Sequence, residues 1–386
     1  MRKQFIFVSL FVIFCQYSNV FCQKLPVLDL SSAIEHPTSI TLSDFVESIT
    51  YIPLSTSDDA LVDQYPLLYA TKDYIISVKS KKCLLFDRKN GFFVREIGSY
   101  GRGPGEYRST LGFFNDDLPT FYFKGWNGNL IKYTVDGVFR GNIHIPGYND
   151  SFDYPTYPMN YSFINDTLIV CDLLIALGTE TKSMLIFNEN GKLLKSVPNY
   201  NILKIKQRNV FTTGEGNFYR FNDNLFYQNK YNDTVFQVSV DGKTPYIVID
   251  RGKYSPPFES KWGPIENRVQ SGFISTFRYA ENVRFMMFYF NLRGDHYFSL
   301  YDKSVKSLKV AHNPAGIKND VDEFLDLSFS YLNSEGELVS YIDAVDIINW
   351  IEENPKKFKE LKTELQFLQD IEITDNPVVV IAKLKK

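Results

Sequence analysis

The chain is poor in the residues that carry metal and nucleophilic chemistry. It has only four histidines, His36, His144, His296 and His312, none paired at ligand spacing, and no His-Glu-x-x-His run. A zinc site is therefore not expected. Of its four cysteines, Cys15 and Cys22 lie in the N-terminal apolar segment, which leaves Cys83 and Cys171. Both sit in apolar, strand-like runs and read as buried free thiols rather than a disulfide framework. There is no Gly-x-Ser-x-Gly elbow for an activated serine. Beyond the N-terminus no stretch reaches the ~18 apolar residues that a membrane-spanning helix needs. An excess of positive charge is also missing: the net charge is −3, and Arg2 and Lys3 are the only charges in residues 1–22, leaving −5 on the remainder. Such a surface has no electrostatic footprint for nucleic acid.

What the chain has in quantity is aromatic side chains, 25 Tyr and 33 Phe, and a repeated hairpin signature. An apolar alternating run, an Asn-Gly or Asp-Gly turn and a second apolar run recur around Asn90-Gly91, Asp136-Gly137, Asn190-Gly191 and Asp241-Gly242. Tight turns between right-twisted strands need positive φ, which these dipeptides supply. The turn glycines are 46, 54 and 51 residues apart, and a degenerate copy without glycine follows at Asp302–Ser304. Further strand candidates lie between the copies, such as Tyr74–Val78 and Thr167–Cys171. Four strands per ~50 residues is the blade of a β-propeller.

The N-terminus reads as a targeting segment. Arg2 and Lys3 precede an apolar run, Gln4–Phe14, too short to span a bilayer and suited to a signal peptide over residues 1–22. Export to the periplasm or cell surface is expected, with simple secretion favoured over a lipid anchor on Cys15 or Cys22. Residues 23–48 read as a leader before the strong strand Ile49–Leu54. Residues 343–369 read as helical, with Ile347, Ile348 and Ile351 on one stripe, Phe358, Leu361, Leu365 and Leu368 on another, and a break at Asn354-Pro355. A closing strand is expected at 377–385. Setting the leader and helical segment aside leaves room for six blades of about 52 residues, close to the observed spacing. The fold class is thus all-β: a six-bladed β-propeller over 49–386 with a small helical insert before the closing strand. A ring must hide its edge strands, so the strand at 49–54 should join the last blade beside the C-terminal strand.

Several motifs carry a family resemblance. Gly98-Ser-Tyr-Gly101-Arg-Gly-Pro-Gly105-Glu-Tyr107, the opening Ile49-Thr-Tyr-Ile-Pro-Leu54, Asn232-Asp-Thr-Val-Phe236 and the ending Asp375-Asn-Pro-Val-Val-Val-Ile381 resemble a six-bladed propeller family common in Bacteroidetes. The resemblance spans roughly residues 45–386. It implies an exported NHL-like or TolB-like propeller, often a lipoprotein, and carries no established activity.

Chemistry must then lie in the loops. In Gly101–Tyr107 the glycines expose backbone N–H groups beside Arg102, a pattern that suits an anion; the plainer reading is a tight crossover between blades. Arg102, Glu106, Tyr107 and Trp126 are the candidate ligand-binding residues, placed near the channel mouth. Loop aromatics Tyr154, Tyr157 and Trp262 are further candidates for stacking on sugars or peptides. Arg220, Arg278 and Arg284 could line the channel or pair with acids on outer strands. No cofactor is expected. Calcium is the one ion left open, through Asp58-Asp59 or Asn115-Asp116-Asp117, although no calcium-loop motif is present. No catalytic residue can be named. The favoured reading is a monomeric binding or scaffold protein for a glycan, peptide or protein partner. The alternative is a hydrolase or lyase with a dispersed, metal-assisted site at the channel mouth.

Overall fold

The computed structural model describes residues 24–79, 81–115, 120–148, 157–203, 215–262, 271–313 and 315–386. The signal segment with Cys15 and Cys22, the acids Asp116 and Asp117, and Tyr154 lie outside the described residues.

The chain opens with strand β1 (Val27–Asp29), helix α1 (Leu30–Glu35) and strand β2 (Val46–Pro53). Blade 1 is β3 (Leu67–Ala70), β4 (Tyr74–Lys79), β5 (Lys82–Asp87) and β6 (Phe93–Glu96). Blade 2 is β7 (Ser109–Asn115), β8 (Thr120–Lys124), β9 (Asn129–Thr134) and β10 (Phe139–His144). Blade 3 is β11 (Pro158–Asn165), β12 (Leu168–Leu173), β13 (Lys182–Asn188) and β14 (Leu193–Pro198). Blade 4 is β15 (Gly216–Phe221), β16 (Asn224–Asn229), β17 (Thr234–Ser239) and β18 (Gly242–Asp250). Blade 5 is β19 (Ile274–Glu281), β20 (Phe285–Leu292), β21 (Asp295–Asp302) and β22 (Ser307–His312). Blade 6 is β23 (Tyr331–Leu332), β24 (Glu337–Ile342) and β25 (Val378–Leu384), with β2 as its outermost strand.

This is a six-bladed β-propeller. The ring closes where β2 runs antiparallel to β25, from Val46 opposite Leu384 to Pro53 opposite Val378. The stretch read as a leader does more than lead. Its β1 adds a fifth strand to blade 4, parallel to β18 with Val27 opposite Val248, and α1 beds Leu30 and Ile34 against blades 4 and 5. A three-residue parallel addition leaves no periodic pattern to read, so the sequence concealed it.

The reason for a ring lies in the pleat. Successive side chains of a strand point to opposite faces. Phe121 and Phe123 therefore pack against blade 1, whereas Tyr122 between them packs against blade 3. Likewise Ile169 and Cys171 face blade 2 and Val170 faces blade 4. Each of the six apolar clusters is shared by two neighbouring blades. No blade could bury both faces alone. Cys83 and Cys171 belong to different clusters and are fully buried free thiols.

The glycine signature also has a second purpose. Gly91 has φ +72°, and a Cβ there would collide with the carbonyl of Pro53 at the end of the preceding blade's outer strand. The Ser55 amide donates to the Gly91 carbonyl at 2.9 Å. Gly191 meets the His144 carbonyl of blade 2 in the same way. At the two Asp-Gly turns the preceding outer strand sends a cation: Arg95 donates to the Asp136 carbonyl and Lys195 to the Asp241 carbonyl, both at 2.6 Å. The turns are hooks between blades as well as hairpin ends. In the degenerate copy, Asp302 accepts from the Ser304 amide at 2.9 Å and Lys306 takes the positive φ, +53°.

Between β24 and β25 the chain forms α2 (Ala344–Glu353), α3 (Pro355–Glu360) and a 3-10 turn, Thr363–Asp370. Pro355 starts α3, where its missing N–H costs nothing. Ile347, Phe358, Leu361, Leu365 and Leu368 bury into the cluster shared by blades 5 and 6. Trp350 sits edge-on to Phe324, ring centres 4.7 Å apart.

Candidate functional site

Antiparallel connectivity divides the loops between two ends of the ring. The first-to-second and third-to-fourth strand turns, including every Asn-Gly and Asp-Gly copy, fall at one end. The second-to-third turns, the blade-to-blade crossovers and the helical insert fall at the other. The crossover from β6 to β7 and the turn from β8 to β9 share this second end, which brings Arg102, Glu106, Tyr107 and Trp126 together.

The 98–108 crossover is held from within. Tyr107 is fully buried between blades 1 and 2 and donates its hydroxyl to the Lys81 carbonyl at 2.8 Å. The Tyr107 amide donates to the Ser99 carbonyl at 2.9 Å, and the Gly101 amide to the Tyr107 carbonyl at 3.0 Å. The Glu106 carboxylate accepts from the Gly103 amide at 2.6 Å, so it staples the loop. A Cβ on Gly101 would meet that carboxylate in its present position. The Trp126 indole N–H donates to the Gly101 carbonyl at 2.7 Å. Tyr133 adds a hydroxyl bond to the Gly105 carbonyl.

On this fixed loop the exposed Arg102 guanidinium lies 4.7 Å from the centre of the half-buried Trp126 ring. Arg108 lies against the same indole at 5.2 Å, and its amide donates to the Lys124 carbonyl at 2.8 Å. Exposed Tyr100 carries the Lys81 ammonium 4.7 Å above its ring. Stacking holds a guanidinium in place while leaving its edge donors available.

Behind the platform the charges go inward. Lys124 donates to the Met159 carbonyl at 3.1 Å, and its ammonium lies 5.5 Å from the Tyr161 ring. Burial lowers its pKa, Asp172 opposes that shift, and Arg108 adds to it. Asp172 is buried, and desolvation pushes its carboxyl up to about 6 despite hydrogen bonds that favour the charged form. It accepts from the Asn160 amide at 2.7 Å, the Asn160 side chain at 3.2 Å and the Tyr227 hydroxyl at 3.4 Å. Further round the same end, the buried Lys261 ammonium pairs with Glu215. Buried Arg251 pairs with Asp233 at 2.5 Å.

Arg102, Glu106 and Trp126 thus form one cluster. Tyr107 is enclosed and acts on it only by holding the loop. Trp262, read as a loop aromatic, is buried instead and donates to the Ala176 carbonyl at 2.8 Å. Tyr157 lies 6.0 Å from Tyr148, ring centre to ring centre. Of the three arginines, Arg278 lines a small space between blades 5 and 6, Arg284 pairs with Asp302 at 3.0 Å, and Arg220 donates to the Phe163 carbonyl of blade 3 at 2.8 Å. The space beside Arg278, between Tyr279, Tyr289 and Tyr331, is about 20 Å³, room for about one water. Asp58 and Asp59 are exposed, and among the described residues no three His, Cys, Asp or Glu side chains cluster as metal ligands. Sequence reasoning passed over Arg108, directly beside Tyr107. It also passed over Asp172, although a lone acid inside Leu-Ile-Val-Cys-Asp-Leu-Leu was a visible signal.

Among solved structures, the chain is similar to a Bacteroides fragilis NCTC 9343 protein described as exported, with 16% identity and a TM-score of 0.68, over 91% of this chain and 98% of that one. It is also similar to the dihydro-heme d1 dehydrogenase NirN (10% identity, TM-score 0.37, 64% of this chain and 56% of that one). A third likeness is to the extracellular domain of a Bacteroides thetaiotaomicron one-component system (10%, TM-score 0.37, 76% and 32%). No curated protein sequence matches the chain. Residues 25–383 match one family model over nearly their whole length, and the chain belongs to that family, described as Domain of unknown function (DUF4934).

Proposed function

We propose that this propeller is an exported binding or scaffold protein that docks its partner at the crossover end of blades 1 and 2. The carrying observation is the stacked Arg102–Trp126 pair on a loop whose own polar groups are already bonded. A site fixed before binding loses little ordering entropy when its partner arrives. Export is supported by the short apolar segment behind Arg2 and Lys3. The Bacteroides fragilis protein of the same fold is likewise described as exported.

A hydrolase or lyase is the second reading, favoured by the raised carboxyl of Asp172 beside Lys124. Against it, both Asp172 oxygens are committed to Asn160 and Tyr227 within a buried environment. The test is a binding screen of the purified protein against glycan and peptide arrays, run beside Arg102→Ala and Trp126→Ala. A ligand retained by the parent and weakened at least about tenfold in both variants supports docking at this end. Binding indifferent to both changes, or turnover of an array component, rejects it.

A further inference from the structure

We propose that the ligand of this platform is an acidic saccharide, a sugar chain bearing carboxylates, with Arg102 as its carboxylate anchor. The proposal rests on the docking site named above and assigns its chemical class.

Charge is the first support. The chain is acidic overall, yet the two segments that carry the platform's exposed charges, 79–82 and 96–108, hold Lys79, Lys81, Lys82, Arg102 and Arg108 against two acids, Glu96, which faces Lys82, and Glu106. Glu106 is tied to the Gly103 amide. The acids Asp58, Asp59 and Asp63 belong to the separate crossover that enters blade 1. A local excess of cations on a negative protein selects and steers an anionic ligand.

Geometry is the second. Arg102 is exposed, and among the described residues its guanidinium stacks on Trp126 and pairs with no carboxylate. Its planar fork is therefore oriented and open, which suits bidentate capture of a carboxylate. Tyr100 is exposed, and the ring face opposite the Lys81 ammonium can receive the C–H face of a pyranose. Asn127, exposed beside Trp126 at φ +56°, offers an amide donor and acceptor to vicinal hydroxyls.

The third support separates a sugar from an acidic peptide. An extended peptide gains affinity by pairing its backbone with an open strand edge. Here Tyr107, Gly101 and Gly103 have already committed their amides within the loop. Side-chain donors remain, and they match hydroxyls and carboxylates rather than a peptide backbone.

The test is titration of the purified protein with oligogalacturonate, with the matching neutral galactose oligomer, and with an oligo-glutamate peptide. Each is repeated on Arg102→Gln, Arg102→Lys and Trp126→Ala after thermal melts confirm folding. Oligogalacturonate should bind at least tenfold tighter than the neutral oligomer and weaken as salt rises. Arg102→Gln should lose at least tenfold, with Arg102→Lys recovering only part of it. Equal binding of the neutral oligomer, still sensitive to Trp126→Ala, overturns the acidic class and leaves the docking site standing. Oligo-glutamate binding as tight as oligogalacturonate, with the same response to Arg102, overturns the saccharide class. Binding of all three that ignores every variant, or no binding of any, overturns this assignment, and only indifference to the variants also removes the docking site.

Discussion

The two ends of this ring are built on opposite rules. At the turn end, one device repeats: a glycine with positive φ, seated against the outer strand of the blade before it. Among the described residues the crossover end buries four charged side chains, Asp172, Lys261, Arg251 and Glu180, whereas the turn end buries one, Glu281, paired with Lys303. Burying charge is costly unless it is paired and hydrogen-bonded. The turn end therefore reports on how the ring is assembled, and the crossover end is where the proposed docking site lies.

The sharpest way to break this contrast is to remove one partner of a buried pair. Glu215→Ala leaves the Lys261 ammonium enclosed without its carboxylate and should lower stability by about 4 kcal/mol. A loss of less than about 1 kcal/mol in denaturant melts would show the crossover end to be no more demanding than an ordinary surface.

A second contrast is in pH. Because burial raises the Asp172 pKa above its usual value to about 6, the folded protein binds a proton more tightly there than the unfolded chain does. Stability should therefore fall as pH rises from about 4 through 6, by up to about 3 kcal/mol from this group. Asp172→Asn should flatten that slope. Urea melts across the interval check it; an unchanged slope in the variant sinks it.

The turn end offers a matched pair. Gly91→Ala meets both a positive φ and the Pro53 carbonyl, whereas Gly336 has φ +75° with nothing within 4 Å of an added Cβ. About 1 kcal/mol is expected for Gly336→Ala and about 2–3 kcal/mol for Gly91→Ala. Equal losses would mean that the signature is only a hairpin turn and not a hook between blades.

This difference also explains what the sequence could disclose. Asn90-Gly91 and its copies are legible because a tight turn and a close approach both demand the same residue at the same place in every blade. The blade count follows from their spacing. The apolar stripes of Ile347 and Phe358 are legible for the same reason, since a buried helix face repeats. Arg102 and Glu106 were found because three glycines frame them, and Trp126 because it is an aromatic between Gly125 and Gly128. Their roles were not, since only the fold brings residue 126 beneath residue 102. Trp262 was misplaced because an indole in a Pro/Gly-rich segment looks exposed until its neighbours, Phe258 and Ala176, are known. The parallel pairing of β1 had no local signal at all.

The smallest expected effect lies where the two rules meet. Tyr107→Phe keeps the buried ring and removes one hydroxyl bond to Lys81, so about 1 kcal/mol should be lost. If Tyr107 serves only to hold the loop, ligand affinity at the platform should change by less than about threefold. A larger loss in affinity than in stability would make Tyr107 part of the contact surface.

Hydrogen exchange of the protein with and without oligogalacturonate compares the two ends in one measurement. Docking at the crossover end should slow exchange in residues 98–108 and 124–129 and leave the turns at 87–93 and 134–139 unchanged. Protection confined to those turns, or spread evenly over all six blades, would contradict it.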